Sequence, residues 1–202
     1  MKKGTKIALI VIAIIVVLLG GCVASISGSY NSMVALDENV KSQWAQVENQ
    51  YQRRYDLIPN LVATVKGYAE HESEVFTNIA DARSKAGGVL NVSDEILNDP
   101  EAFARFQQAQ NELGSALQRL LVITENYPEL KADENFLALQ DQLEGTENRI
   151  ATERTRFNSV VQEYNKTIRA FPKVILANMF GFREKAYFAA AAEAQTAPVV
   201  QF

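Results

Sequence analysis

The sequence predicts an all-α protein: a single N-terminal transmembrane helix, followed by an antiparallel bundle of three long helices and a shorter C-terminal helix. Two observations predict this class. The segment from Ile7 to Ile26 is almost wholly apolar, and from Val40 onward apolar residues recur at alternating steps of four and three. The first pattern is typical of a membrane span and the second of packed helices. No stretch sustains the alternation of a strand, so we divide the chain into a membrane anchor (1–28) and a helical bundle domain (29–202).

The apolar segment has the length of a bilayer's hydrocarbon core, because twenty helical residues rise about 30 Å. Lys2, Lys3 and Lys6 precede it, whereas the first cation after it is Lys41. Since positive charge is kept on the cytoplasmic side, we expect a single pass through the bacterial cytoplasmic (inner) membrane. The N-terminus is then cytoplasmic, and the helical domain is periplasmic or extracytoplasmic.

Three fates of this segment remain open at this stage. The interpretation that we favour is an uncleaved anchor, since the apolar run is long for a signal peptide. Alternatively, Leu19-Gly20-Gly21-Cys22 resembles a bacterial lipobox, with glycine in place of the usual residue at Gly20, and predicts a lipid on Cys22. The third alternative is complete removal by a signal peptidase near Val23-Ala24-Ser25.

The first bundle helix is predicted from its buried stripe, which keeps a heptad phase along Val40, Trp44, Val47, Tyr51, Arg54, Ile58, Leu61, Val65 and Tyr68, and then through Glu72 to Val75 and Ile79. Pro59 lies inside this helix and predicts a kink without a reversal, because the phase is the same on both sides. The pair Gly87-Gly88 predicts the end of the helix. Whether the helix is continuous with the anchor or breaks between Ser27 and Ser32 stays open.

The next two helices are predicted from caps and heptads. Residues 87–99 form a polar loop, and Asp99-Pro100-Glu101 predicts a helix start with Asp99 as the cap. That second helix closes at Pro128. The third is the most regular, because its large apolar residues fall at intervals of seven and predict left-handed supercoiling. They are Phe136, Leu143, Ile150, Phe157, Tyr164 and Phe171.

The C-terminal region is predicted to hold a shorter element. Pro172 ends the third helix, and an alanine-rich stretch from about Arg183 to Ala194 predicts a fourth helix. The apolar tail Ala197–Phe202 contains Pro198 and is expected to dock as an extended segment.

Composition argues against several classes of function. The chain has 24 acidic and 20 basic residues, a net charge of −4, with no basic stripe beyond the first lysines, which argues against nucleic acid as a partner. One cysteine and one histidine argue against a disulfide, a cysteine–metal cluster or a histidine-rich site. His71-Glu72 does not continue as a zinc-protease motif, because position 75 is Val75. We therefore expect no catalytic residue, no metal or other cofactor, and no enzymatic activity.

Arg54 is the polar residue of greatest interest, because it falls in the predicted buried stripe. An unpaired buried guanidinium is costly, so Arg54 must reach solvent or one of the carboxylates of Asp56, Glu147 or Glu153. An ion pair that fixes the helix register is the favoured interpretation, and a ligand or partner site is the alternative. Trp44 and Tyr51 have the spacing of core aromatics first and of a binding surface second. The candidate partner or ligand surface comprises Trp44, Tyr51, Arg54, Pro59 and Asn60.

Several stretches together resemble the LemA family. They are Ser29-Tyr30-Asn31, Leu36-Asp37-Glu38, the runs Trp44–Arg54, Asp56–Val62 and Val65–Tyr68, and the short matches Tyr164-Asn165, Phe171-Pro172 and Phe180-Gly181-Phe182. The resemblance covers nearly the whole chain. It implies one N-terminal membrane segment and a helical bundle, and it implies no enzyme, because the family has no established catalytic residues.

Two hypotheses of function follow from these observations. The first is a non-enzymatic, membrane-anchored envelope scaffold that acts by self-association as a homo-oligomer or through a membrane-protein partner, such as a membrane protease or another envelope protein. The second is a ligand- or peptide-binding module that uses a groove near Arg54 and Pro59.

Overall fold

One helix runs without a break from the apolar segment into the bundle. In the computed structural model, which describes residues 3–90 and 96–189, helix α1 spans Lys3–Lys66. The chain is therefore helical through Ser27–Ser32, and the anchor is continuous with the first bundle helix. Within the described part, α1 is the one helix long and apolar enough to cross a membrane. Its side chains from Val11 to Ile26 are exposed, as expected of a surface that meets lipid.

Pro59 does not interrupt α1. The helix continues for seven residues beyond it, so the prediction that the chain does not reverse at Pro59 is confirmed. The proline ring lies on the exposed face, where the loss of one backbone hydrogen bond is compensated most easily by solvent.

The chain reverses instead at residues 67–72, and the predicted straight continuation through Glu72 to Ile79 is wrong. Helix α2 (Ser73–Leu90) folds back along α1 and contains both Gly87 and Gly88, which were predicted to end the helix. The glycine at position 87 allows α2 to approach α1 closely, because a Cβ there would lie 3.0 Å from the Tyr55 ring of α1. Tyr68 falls outside α1 and is 41% exposed, although the heptad phase had placed it in the core.

Helices α3 (Pro100–Thr124), α4 (Pro128–Lys131) and α5 (Glu134–Arg169) complete the bundle. The predicted start of α3 is confirmed, since the Asp99 carboxylate accepts a hydrogen bond from the Glu101 N–H at 2.8 Å. Asp133 caps α5 in the same way through the Phe136 N–H. Of the predicted loop 87–99, residues 91–95 lie outside the described residues, and Ile96 and Leu97 are buried.

The C-terminal helix lies earlier than predicted. Helix α6 spans Lys173–Phe180 and ends at Gly181, whose φ of 80° is the left-handed conformation that glycine adopts at low cost. The helix predicted from Arg183 to Ala194 is wrong for Arg183–Ala189, which are not helical. The remainder of that prediction, and the predicted docking of the tail Ala197–Phe202, fall outside the described residues.

The predicted all-α class is confirmed for the described residues. Helices α1, α3 and α5 are the three long helices and α6 is the shorter C-terminal one; α2 is an additional helix within the region predicted as the first. Helices α1 and α3 point away from the anchor, whereas α2 and α5 return toward it. The tightest pairs are α1 with α5 and α2 with α3. This is the up-down-up-down topology of antiparallel bundles.

The core has two apolar clusters stacked along the bundle axis. The membrane-proximal cluster surrounds Trp44 and Phe157, and the distal cluster surrounds Leu61 and Leu117. The heptad residues of α5 from Phe136 to Tyr164 are buried as predicted. Phe171 is the exception at 83% exposed, because α5 ends at Arg169 before the next heptad position is reached.

Candidate functional site

A polar layer centred on Arg54 separates the two apolar clusters. The Arg54 side chain is 4% exposed, and its Nη1 donates to Oε1 of Glu147 at 3.0 Å. Its Nη2 donates to the main-chain oxygen of Gln110 at 3.0 Å and to the Gln110 side-chain Oε1 at 2.5 Å. Of the three predicted carboxylates, Glu147 is therefore the partner. A buried guanidinium with a carboxylate and two amide oxygens is well compensated for its loss of water.

The other two carboxylates bind elsewhere. Asp56 accepts from the Gln52 side chain of its own helix at 2.8 Å. Glu153 accepts from Gln43 and from Arg156. Arg54 and Glu147 thus join α1 to α5 by an ion pair, and the hydrogen bond from Gln43 to Glu153 joins the same two helices.

The Arg54 layer is open to solvent on one side. A cleft of about 350 Å³ between α3 and α5 has Arg54, Tyr51 and Gln110 as its floor and Gly114, Glu147 and Arg154 at its sides. Two buried donors of the floor, Arg54 Nε and Gln110 Nε2, have no hydrogen-bond partner among the described residues. The cleft is therefore polar, and its floor carries spare donors.

The cleft continues away from the membrane. A second hollow of about 350 Å³ shares Gly114, Gln118 and Glu147 with the first and adds an apolar lining of Leu117, Leu121 and Leu143. Together the two hollows form one groove, which we call the α3/α5 groove. Gly114 lies where the two hollows meet, and a Cβ there would be in ordinary van der Waals contact with Arg54 Nη1 at 3.7 Å.

Nearer the membrane, residues 182–189 fill the space between α3 and α5. We call these residues the C-terminal segment. Side-chain amides of the bundle bind its main chain in pairs. Asn165 donates to the Lys185 carbonyl and accepts from its N–H, both at 2.9 Å. Asn158 makes the same two bonds with Phe188, at 3.0 and 2.9 Å.

The pairing shows that the C-terminal segment is extended. A step of three residues along the segment, from Lys185 to Phe188, matches a step of seven residues along α5, from Asn165 back to Asn158. Seven helical residues rise about 10 Å, which is the reach of three extended residues. At its end, Ala189 O accepts from Gln107 at 2.9 Å and from Arg154 at 3.1 Å, and Arg154 also lines the cleft.

Two side chains anchor the C-terminal segment. The Phe188 ring lies 4.9 to 6.0 Å from the rings of Phe103, Phe157 and Trp44. Lys185 Nζ is 3.1 Å from Oδ1 of Asp37 and 2.6 Å from Oδ1 of Asn98, and its side chain is 5% exposed. The segment is thus held by its main chain, by one aromatic side chain and by one buried ion pair.

Burial also affects the phenols around these contacts. It raises the pKa of Tyr51 above its ordinary value, because the ionised form would lose its hydration. It raises the pKa of Tyr164 to about 12, and the negative charge of Asp37 adds to this effect. Both phenols are therefore neutral at physiological pH and behave as core residues.

The five predicted surface residues do not lie on one surface. Trp44 and Tyr51 are buried in the membrane-proximal cluster, and Arg54 joins Tyr51 in the floor of the cleft. Pro59 and Asn60 are exposed and do not line the cleft. Cys22 is exposed in the apolar part of α1.

Sequence reasoning missed the side chains that bind the C-terminal segment. Asn158 and Asn165 lie one heptad apart, each directly after a core aromatic of α5. An amide repeated at that spacing beside the core is the signal that could have pointed to a bound main chain. Among the described residues, no group of three or more His, Cys, Asp or Glu side chains could hold a metal ion.

Comparison with known proteins finds one family and several relatives. A model of the LemA family matches residues 43–202. The magnetosome protein MamQ of Magnetospirillum gryphiswaldense is 28% identical over 194 residues, covering 89% of this chain and 71% of the relative. The magnetosome protein MamQ 2 of Paramagnetospirillum magneticum is 28% identical over 201 residues, covering 92% and 73%.

Proposed function

This chain belongs to the LemA family, and on that basis we propose that it is a membrane-tethered, non-enzymatic interaction protein of the bacterial cell envelope. It acts by self-association or through a membrane-protein partner, such as a membrane protease or another envelope protein. Its membrane is the cytoplasmic one, with the N-terminus inside and the bundle outside. The relatives named MamQ are called magnetosome proteins, and the likeness to them supports a membrane-associated, non-enzymatic role.

One observation carries this proposal, namely the continuity of α1. The exposed apolar segment and the first bundle helix are one helix, Lys3–Lys66, with no loop between them. A flexible linker would let the bundle turn freely, whereas a continuous helix holds it at a fixed height and angle. A protein that presents a fixed surface to neighbours in the same bilayer needs this rigidity, and a freely diffusing binding module does not.

Breaking the helix between anchor and bundle tests the scaffold role. Gly28→Pro is expected to abolish specific crosslinks from a photoreactive residue placed at an exposed bundle position such as Arg53, because proline in a helix interior costs about 3 kcal/mol and removes the rigid connection. Gly28→Ala is the matched control. Nothing lies within 4 Å of a Cβ there, so alanine should preserve the crosslinks and favour the helix.

Membrane retention and the melting temperature of the bundle are measured in parallel. Both variants should stay in the membrane and melt as the parent chain does. Crosslinks that survive Gly28→Pro unchanged would show that rigidity is not needed. If discrete crosslinked species form from no exposed bundle position in the parent chain, the scaffold role is refuted.

The anchor is proposed to be retained and unlipidated. Cys22→Ser is expected to leave the protein in the membrane fraction after alkaline extraction, because attachment depends on the whole apolar helix and not on the thiol. Intact mass is expected to show residues 1–21 present and no lipid on Cys22. Loss of those residues with an added diacylglycerol mass, or release of Cys22→Ser from the membrane, would establish the lipoprotein alternative.

A second candidate function is recognition of extended peptides in the α3/α5 groove. The observation that favours it is the C-terminal segment, which the bundle binds by paired amide contacts to the main chain. Such contacts do not depend on the side chains of the bound strand. The groove continues beyond Ala189 through the Arg54 cleft, so a longer peptide could extend along it.

A further inference from the structure

Four large apolar side chains are exposed together at the base of the bundle. Phe171, Ile175, Met179 and Phe180 are 83%, 60%, 65% and 46% exposed, and we call them the base cluster. Single exposed apolar residues are ordinary on protein surfaces, but a cluster of this kind marks a contact with something apolar. Ile175 and Met179 are four residues apart and lie on one face of α6, Phe171 precedes the helix and Phe180 ends it, whereas Ala177 is buried against the bundle at 2% exposure.

The base cluster lies beside the membrane end of α1. The Phe180 ring is 4.9 Å from the Tyr30 ring, and Lys173 Nζ is 3.5 Å from Oγ of Ser32. Tyr30 follows Ile26, the end of the apolar run, by four residues, which is about 6 Å along the helix. The cluster is therefore about one helical turn above the hydrocarbon core, at the depth of the lipid headgroups, where aromatic side chains concentrate and amphipathic helices lie.

The charge around α6 matches a lipid surface. Residues 166–185 contain five cations and one acid, whereas the whole chain has a net charge of −4. Lys185 is buried against Asp37, whereas the other four cations are at or near the surface, and one of them, Arg169, pairs with Glu184 at 3.6 Å. They are Lys166, Arg169, Lys173 and Arg183. Cations beside an exposed apolar face are typical of helices that bind anionic membranes.

We propose that the base cluster inserts into the interfacial layer of the same bilayer that α1 spans, with the surrounding cations on anionic phospholipid headgroups. This inference rests on the proposed tether, because the bilayer must surround residues 7–26 for α6 to meet it. Helix α6 is then a second membrane contact. Two contacts stop the bundle from rotating about α1, so the α3/α5 groove keeps one direction relative to the membrane.

The test places an environment-sensitive fluorophore on a single cysteine in the full-length Cys22→Ser chain, reconstituted into vesicles of phosphatidylcholine with phosphatidylglycerol. Three positions are matched in exposure: Met179→Cys in the base cluster at 65%, Val122→Cys at the distal end at 65%, and Leu18→Cys in the span at 64%. Nitroxide-labelled lipids then quench each fluorophore according to its depth.

We expect shallow nitroxides to quench the fluorophore at Met179 several-fold more than the one at Val122, and deep nitroxides to quench the one at Leu18. If the fluorophore at Leu18 is quenched but the one at Met179 is quenched no more than the one at Val122, the inference is overturned and the tether is supported. No quenching at Leu18 would refute the tether itself, and with it the inference that α6 meets the bilayer that α1 spans. A blue shift at Met179 without quenching would mean that a second protein copy covers the cluster, and would overturn the inference.

The headgroup contact is tested by lipid composition. Quenching at Met179 is expected to weaken when phosphatidylglycerol is omitted, and Lys173→Gln is expected to reduce that dependence. Equal quenching in both lipid mixtures would overturn the role assigned to the cations. In the Cys22→Ser chain with Met179→Cys, adding Ile175→Gln should lower the quenching with little change in the melting temperature, because the Ile175 side chain is 60% exposed.

Discussion

Replacing Arg54 by alanine is expected to lower the free energy of unfolding of the bundle by about 2–4 kcal/mol. The side chain packs between the two apolar clusters and is 4% exposed, so its removal opens a cavity there. It also leaves the two oxygens of Gln110 without their charged donor inside the protein. Denaturation of the full-length protein in detergent, followed by the fluorescence of Trp44, the single tryptophan, measures the change.

Two further variants separate the charge of Arg54 from its packing. Glu147→Gln is expected to cost no more than about 1 kcal/mol, because the Glu147 side chain is 43% exposed and screened by water. Arg54→Met with Gln110→Leu should recover most of the parent stability, because it replaces the polar layer by apolar volume and removes two unpaired buried donors. If the double variant is no more stable than Arg54→Ala, the layer contributes through its hydrogen bonds and not through packing.

Heptad spacing predicted the buried stripes well but not where the chain turns. Val40 to Val65 are buried at every predicted apolar position because a heptad stripe must face the core as long as its helix lasts. The same spacing continued by chance across residues 67–72, so periodicity could not reveal the reversal there. Gly87 caused the opposite error, because a helix end was predicted at a residue that lies inside α2. It permits contact with Tyr55 from another helix, and a contact of that kind is a property of the tertiary packing.

The candidate site was predictable only in part for the same reason. A buried Arg54 requires an oxygen partner, and the sequence restricted the carboxylates to three. Choosing Glu147 requires the relative height of α1 and α5, which no local pattern encodes. The non-helical course of Arg183–Ala189 was hidden by alanine-rich composition, since alanine favours a helix in isolation. Asn158 and Asn165 override that preference by bonding both main-chain groups of Phe188 and Lys185.

Replacing Phe188 by alanine is expected to release the C-terminal segment from the bundle. Loss of a phenyl ring packed among three aromatic rings costs about 3–5 kcal/mol. Protection of the Lys185 and Phe188 amides against hydrogen exchange should then fall by more than about 100-fold. Trp44 should become accessible to a soluble quencher, because its ring stacks on Phe188 at 6.0 Å. Tyr187→Ala is the control, since Tyr187 is in the same segment but 45% exposed, and it should change neither readout.

The Phe188→Ala chain also tests peptide recognition directly. A synthetic peptide with the sequence of residues 182–189 should bind in trans and bury Trp44 again, because the amide pairs of Asn158 and Asn165 require only a main chain in the extended conformation. The same peptide with alanine in place of Phe188 should not, since it cannot fill the space between Phe103 and Phe157. Saturable protection by the first peptide alone would establish that the space between α3 and α5 filled by residues 182–189, next to the α3/α5 groove, is a peptide-binding site. Failure of both peptides, with the segment released, would confine its role to intramolecular packing and eliminate the peptide-binding candidate.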